Sequence, residues 1–299
     1  MRPLRSMLFT PANRVDMIEK AVRSGADAVI IDLEDSVSID NKEAARGILE
    51  SLPESPVPYF VRTNSFPSRF FWDDLIAAGQ SEAIGVIVPK AEEPIAISQI
   101  DGALTVLEKL SGRPEGAITL IPLIESAQGV RLTYEISSAS GRIECVMFGG
   151  GEQGDLVADL GVEWTPEGTG LLHARSQVLL SSRAAGVPHP MEAVFMDFRN
   201  LAGLRLECEL ARTLGYVGKV AIHPAQVPVI NDVFSPSEEE VNYQRKILDA
   251  FEEAEVQGQA SIAVDGRMVD YAVARVARTI IERAENAHRA DGAHRNRDE

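Results

Sequence analysis

The chain has 299 residues, 45% hydrophobic and 25% charged, an ordinary globular composition that excludes a wholly disordered, collagenous or membrane-bundle chain. Against 29 Lys and Arg stand 45 Asp and Glu, a net charge of -16; such a chain repels phosphate backbones, so nucleic acid is not an expected partner, whereas a small anionic substrate needs only a local metal or a few arginines. No apolar run approaches the ~20 residues of a membrane span, and the start Met1-Arg2-Pro3-Leu4-Arg5 lacks a signal-peptide stretch. Cys145 and Cys208 give neither a disulfide framework nor a zinc spacing and read as two half-buried thiols in a reducing cytoplasm.

Short apolar runs then alternate with helical patterns. Ser6–Thr10 predicts a strand and Asn13–Ser24 a helix, its face marked by Val15, Ile18, Ala21 and Val22 and its end by Gly25. Strand Ala28–Leu33 precedes helix Asn41–Leu52, and strand Tyr59–Arg62 precedes a helix around Trp72–Ala78. Ile84–Pro89, Ile118–Ile124 and Glu144–Phe148 are the next strands, followed by helices Ile95–Leu110, Ala127–Ser138 and Gly170–Ala185. Ala193–Met196 and Val220–His223 are the last two strands, with helices Leu201–Leu214 and Ala225–Val233. The strands are continuous apolar runs, as parallel strands buried on both faces should be. Eight β–α units in roughly 230 residues predict a (β/α)8 TIM barrel over residues 1–234. The alternative, an open doubly wound sheet, would usually carry a glycine-rich nucleotide turn after an early strand, and the first turn here is Thr-Pro-Ala-Asn.

After residue 234 the pattern changes. Ser235-Pro236-Ser237-Glu238 carries a capping signal for a helix running to about Val256. Ser261–Val264, the stretch Asp265-Gly266-Arg267-Met268-Val269-Asp270 and a helix from Tyr271 to about Ala287 follow, with a polar, frayed tail from His288. Residues 235–299 thus read as a C-terminal helical extension. Its last helix carries an apolar stripe of Val273, Val276, Ala277, Ile280 and Ile281, which must be buried on its own barrel or on a neighbour's.

Catalytic groups of such barrels sit where the strands end at the C-terminal rim. Strand one ends at Thr10 with Arg14 beyond, strand two in Asp32-Leu33-Glu34-Asp35, strand three in Arg62 and Asn64, and strand four in Lys90. Strand five ends in Glu125-Ser126, strand six in the run Gly149-Gly150-Gly151-Glu152-Gln153-Gly154-Asp155, and strand eight in His223-Pro224. Carboxylates and basic groups on one rim suit a hard divalent cation and an oxygen-rich anionic ligand. Each residue also has a structural alternative. Glu125 can be a neighbour of a helix cap, Asp155 can cap a short helix Leu156–Leu160, and His223 can simply pack. The Asp32–Asp35 cluster can form loop ion pairs with Arg62 and Lys90.

The stretches RSMLFTPANR, AVIIDLEDSV, FVRTN, VIVPKAE, LIPLIES, DLVADLG, HARSQVLL, GYVGKVAIHPAQV and DGRMVD, in this order over residues 5–270, resemble the HpcH/HpaI aldolase and citrate lyase β-subunit family, and within it the acyl-CoA-cleaving branch. The resemblance implies a Mg2+-binding TIM barrel that assembles as a homotrimer or hexamer. It implies Glu125 and Asp155 as metal carboxylates, with Glu125 also facing substrate, and Arg62 as the grip on a substrate carboxylate. It implies Asp270 as the catalytic acid/base lent to a neighbouring subunit, and makes Arg14 and Lys90 candidates for holding an enolate or the CoA phosphates. Two departures stand out. The FGGGEQGDL stretch is longer than the family's spacing before the metal Asp, which makes Glu152 a competing ligand; and Tyr271-Ala272-Val273 follows Asp270 where the lyases often have a proline two residues on.

The implied reaction is retro-Claisen cleavage of a 3-hydroxy-3-carboxyacyl-CoA of the malyl, citramalyl, methylmalyl or citryl type to an α-keto acid and an acyl-CoA. The alternatives are a metal-dependent aldolase of free hydroxy acids, a lyase followed by thioester hydrolysis, and a non-catalytic barrel subunit of a citrate-lyase-like complex with acyl-carrier and transferase partners.

Overall fold

In the computed structural model, which describes residues 2–165 and 167–295, eight parallel strands pair in chain order and close on themselves. They are β1 (Ser6–Pro11), β2 (Ala28–Asp32), β3 (Tyr59–Arg62), β4 (Gly85–Val88), β5 (Thr119–Ile124), β6 (Met147–Phe148), β7 (Met191–Glu192) and β8 (Gly218–Ala221). Between and after them run α1 (Val15–Val22), α2 (Lys42–Gly47), α3 (Phe71–Gln80), α4 (Pro94–Leu110), α5 (Ala127–Arg131), α6 (Thr133–Ser138), α7 (Asp155–Leu160), α8 (Leu172–Ala184), α9 (Leu201–Leu214) and α10 (Val227–Phe234). The closing seam sets Ser6, Met7 and Leu8 against Lys219, Val220 and Ala221. The expected TIM barrel is therefore present. Inward side chains such as Met7, Ile30, Phe60, Ile121 and Met147 fill its interior, because alternate residues of a strand face the same side. Among the described residues no helix is long and apolar enough to cross a membrane.

The chain divides into two units, residues 3–233 and residues from Phe234 onward. In the second, α11 (Glu238–Val256) starts at a Ser237 cap whose hydroxyl accepts the Glu240 N–H at 3.1 Å. Strands β9 (Ser261–Val264) and β10 (Arg267–Asp270) then form an antiparallel hairpin. Its turn, Asp265-Gly266, has φ of 48° and 76°, the left-handed pair that a two-residue hairpin turn needs. Ile247, Phe251, Val264, Val269, Ala274 and Ala277 form the core of this unit.

Three sequence expectations are corrected. The seventh strand is Met191–Glu192 rather than Ala193–Met196: Phe148 pairs with Glu192, and Glu192 with Lys219. A charged residue in the ladder hid the strand, while Val194 and Met196 lie beyond it. The expected helix Ala127–Ser138 is two, α5 (Ala127–Arg131) and α6 (Thr133–Ser138); the Thr133 hydroxyl takes the Gly129 carbonyl at 2.8 Å, the acceptor its own N–H would have used. The final helix, α12 (Tyr271–Arg295), continues through His288, where Ala284, Ala287 and Ala290 keep one buried face. Ala277 of the expected stripe is buried and Val276 is exposed.

Four charged side chains are sealed between the barrel and its helices: Arg175 on α8 (Leu172–Ala184), Glu192, Glu207 on α9 (Leu201–Leu214) and Lys219. Arg175 lies 3.0 Å from Glu192 and 3.1 Å from Glu207, and Lys219 lies 3.3 Å from Glu207. Burial raises the Glu192 pKa against the pull of Arg175. Such a quartet is costly to break because the abandoned charge stays buried. Lys219→Met is expected to destabilise the fold by about 3–5 kcal/mol, read as a fall in the urea-unfolding midpoint; an unchanged midpoint would show that the quartet carries no net interaction.

Candidate active site at the C-terminal rim

The strand ends converge on a cavity of about 520 Å3 lined wholly by residues of the barrel unit. Its floor is the upper layer of the barrel core: Leu123, Met147, Ala193 and Val220. One wall is apolar, with Val194, Met196 and Ile222; the opposite side is polar, with Thr10, Asp32, Arg62 and Glu125, and the β6–α7 loop adds Glu152 and Asp155.

An alternating chain of charges organises the polar side. Arg62 donates from Nε to Asp32 Oδ1 at 2.7 Å and from Nη2 to Asp32 Oδ2 at 2.8 Å, a bidentate fork, and its Nη1 lies 3.1 Å from Glu34. Lys90 Nζ lies 3.0 Å from Glu34 and 3.0 Å from Asp155. Burial works against the Arg62 cation, but Asp32, Glu34 and Glu125 raise its pKa. The Lys90 ammonium is likewise raised by Glu34 and Asp155 against the effect of burial. The ring of Phe9 lies beneath Arg62, 4.4 Å from its guanidinium carbon.

Lys90 also acts through its backbone. Its φ is 51°, a left-handed conformation that costs a non-glycine residue roughly 1–2 kcal/mol. Its N–H donates to Glu125 Oε1 at 2.8 Å, and the next N–H, of Ala91, bonds the Leu123 carbonyl at 3.1 Å. One residue thus touches three carboxylates brought by different loops. Across from it, Gly149 follows β6 so closely that a Cβ there would lie 2.6 Å from that of Glu125, leaving room only for glycine.

The structural alternatives now separate. Ser126 caps α5, accepting the Gly129 N–H at 3.1 Å, so Glu125 is indeed the neighbour of a cap, while its own carboxylate accepts the Lys90 N–H. Asp155 is the first residue of α7 (Asp155–Leu160), which has no side-chain cap, and its carboxylate meets Lys90 instead. The ion-pair alternative for the Asp32–Asp35 cluster holds for Asp32 and Glu34. His223 accepts the Ala225 N–H at 3.1 Å and stacks on Phe198, a capping and packing role. Arg14 forms an exposed pair with Asp16 at 2.9 Å and is not among the cavity-lining residues. Asp270, in the second unit, caps α12, accepting from the N–H groups of Ala272 and Val273 at 2.9 and 3.0 Å. Phe9 was missed at the sequence level, although it shares a strand face with Met7.

Two hard oxygen donors, Glu125 and Asp155, line one cavity, the chemistry that suits a divalent cation with water completing its shell. Among the described residues no three His, Cys, Asp or Glu side chains group as a metal cage. These features define a barrel enzyme with an acidic, arginine-bearing rim site.

The family comparison makes the class specific. Residues 5–224 match the model of HpcH/HpaI aldolase/citrate lyase, and residues 177–287 that of a C–C bond lyase of the TIM-barrel fold. The chain belongs to the HpcH/HpaI aldolase/citrate lyase family and is a carbon–carbon lyase. Citrate lyase subunit beta of Leuconostoc mesenteroides subsp. cremoris is 32% identical over 291 residues, covering 96% of this chain and 95% of the relative. The L-malyl-CoA/beta-methylmalyl-CoA lyase of Cereibacter sphaeroides is 32% identical over 308 residues, covering 95% of each chain. The crystal structure of CitE from Mycobacterium tuberculosis in complex with magnesium, acetoacetate and coenzyme A superposes with a TM-score of 0.76 at 31% identity, covering 95% of this chain and 99% of that one.

Burial, with Glu34 nearby, pushes the Glu125 pKa up to about 7 from an ordinary value of 4.5. The folded state then holds this proton more tightly than the unfolded state, so stability falls as pH rises through the window between 4.5 and 7 and stays lower above it. In chelator-containing buffer, Glu125→Gln, whose amide oxygen can still accept the Lys90 N–H, is expected to be more stable than the parent at pH 8 by up to about 3 kcal/mol, the difference closing below pH 4.5. Urea denaturation at the two pH values checks this; parallel stability curves would refute it.

Proposed function

We propose that this chain is a Mg2+-dependent lyase that cleaves a 3-hydroxy-3-carboxyacyl-CoA to an α-keto acid and an acyl-CoA. The observation that carries the reading is the placement of Glu125, Asp155 and Arg62 around one cavity at the barrel rim. A family that includes citrate lyase β subunits and a malyl-CoA lyase, and a solved relative holding magnesium and coenzyme A, supports it.

Glu125 and Asp155 would hold the metal, which when bound supplies Lewis-acid polarisation of the substrate's carboxylate and hydroxyl oxygens. Arg62, fixed by Asp32 and paired through Nη1 with Glu34, lines the cavity as the grip on the carboxylate of the keto-acid half, which would share the guanidinium with Glu34. Lys90, engaged by Glu34 and Asp155, keeps the β6–α7 loop in place. Arg14 is exposed and its pair with Asp16 is weakly held, as surface pairs are, so CoA phosphates can replace that partner. As the carbonyl forms, the hydroxyl proton passes to solvent water, and the electron pair of the broken carbon–carbon bond becomes the thioester enolate. Asp270 of a neighbouring subunit protonates the enolate carbon; in the reverse direction it is the base. This assigns residues 1–234 as the catalytic barrel and residues 235–299 as the extension that builds the oligomer and completes a neighbour's site.

The deciding experiment is a screen of malyl-, citramalyl-, methylmalyl- and citryl-CoA with mass detection of the keto acid, beside calorimetric Mg2+ titration. Cleavage of at least one thioester is expected, with Mg2+ binding lost in Glu125→Gln and Asp155→Asn. Parental Mg2+ affinity in both variants would sink the metal assignment, and loss in Glu152→Gln alone would move the ligand along the long loop. Turnover of free hydroxy acids without CoA would establish the aldolase instead.

Sharing of Asp270 has its own test. Asp270→Ala and Glu125→Gln chains are each expected to be inactive, and mixed oligomers of the two to regain part of the activity, because some sites receive an intact residue from each. Mixed oligomers that form and remain inactive, while monomeric enzyme turns over normally, would assign Asp270 to capping α12 alone.

A further inference from the structure

Lys42, the first residue of α2, is a buried lysine outside the rim cavity. Its Nζ donates to two backbone carbonyls, that of Leu33 at 2.7 Å and that of Glu34 at 2.6 Å. Burial lowers its pKa, while the carboxylates of Asp32, Asp74, Glu34 and Asp35 favour the cation. Asn64, just after β3, is buried beside it. Its Nδ2 donates to the same Leu33 carbonyl at 3.0 Å and to Asp74 at 2.6 Å. Asp74 in turn accepts the Asn64 N–H at 2.9 Å and Arg46 Nε at 3.0 Å.

Burying an ammonium is costly, and satisfying these carbonyls does not require one. A carbonyl oxygen has two lone pairs. Without Lys42 the Leu33 carbonyl keeps Asn64, and the Glu34 carbonyl keeps the Val37 N–H at 3.0 Å. What Lys42 adds is position. The Glu34 N–H is already held by Asp32 Oδ1 at 2.9 Å, so with its carbonyl on Lys42 the residue is fixed at both of its peptide groups. The Glu34 carboxylate then lies 3.1 Å from Arg62 and 3.0 Å from Lys90. Rotation of either peptide would swing it off the two cations. We propose, on the basis of the lyase reading above, that Lys42 is a positioning residue for the reaction: by gripping the Leu33 and Glu34 carbonyls it holds the Glu34 carboxylate between Arg62 and Lys90, and so sets the geometry of the substrate grip. Lys42 touches no substrate and acts through Glu34.

A double-mutant cycle in kcat/KM separates this from a merely structural role. Lys42→Met keeps the stem and removes the donors. It is expected to lower kcat/KM for the thioester cleaved best in the screen above by about thirtyfold, since a misplacement of about 1 Å remote from the chemistry can cost that much. In a Glu34→Gln background the same change should cost about threefold or less, because the group it positions is already gone. Lys42→Arg, which can still donate to both carbonyls, should recover most of the activity. A crystal structure of Lys42→Met should show the Glu34 carboxylate moved by about 1 Å or more from one or both cations. Each variant is assayed well below its own unfolding transition; should Lys42→Met not fold, Lys42→Gln, which keeps an amide donor on a shorter stem, takes its place in the cycle with the same expected pattern. An equal fall in both backgrounds, an unchanged kcat/KM, or a Glu34 carboxylate left in place overturns the proposal while the lyase reading stands. A parent chain that cleaves none of the thioesters removes the lyase reading, and this proposal with it.

Discussion

The chain of alternating charges from Asp32 through Arg62, Glu34 and Lys90 to Asp155 governs how the rim is built. Each carboxylate comes from a different turn of chain or from one whose neighbour would repel it, and the two cations make their convergence tolerable. Glu34 is buried and its pKa is raised mainly by that burial, with Arg62 and Lys90 opposing the rise. The network is also why the acidic rim is compatible with folding before any ligand arrives.

A second constraint is local. The left-handed backbone at Lys90 turns its N–H onto Glu125 and sends its side chain towards Glu34 and Asp155. Glycine would adopt this conformation more cheaply, yet it would bring no ammonium. The strain is tolerated where a functional side chain and a specific N–H are needed at one position, which is where such strain tends to gather.

Much of this was readable in the sequence, because a parallel barrel writes its strands as apolar runs and its chemistry as the residues that follow them. Tyr59–Arg62 was found to the residue; Arg62, Glu125 and Asp155 stood by position among the residues that follow the strands, and the family resemblance singled them out. The pairing of Arg62 and Lys90 with the Asp32–Asp35 cluster was readable only as one alternative among several, and the contacts of Lys90 with Asp155 and Glu125 were not readable. Whether Lys90 faces solvent, substrate or Glu34 depends on spacing across three strands, which periodicity does not encode. The seventh strand escaped because Glu192, a charged residue, sits in its two-residue ladder, and its partner Arg175 is 17 residues away. Asp270 shows the other limit: a helix cap and a residue lent to a neighbour leave the same trace in one chain's sequence.

The floor of the cavity is also the top of the barrel core, since Leu123, Met147, Ala193 and Val220 belong to both. Carving the pocket deeper from below would mean truncating core side chains, at about 2–5 kcal/mol for each large-to-small change. The rim has no such coupling: Met196 is exposed, and the Gly149–Asp155 loop lies outside the ladder. Divergence towards new substrates in this scaffold is therefore channelled to the loops, while the base of the site is held almost invariant by the requirement that the barrel remain folded.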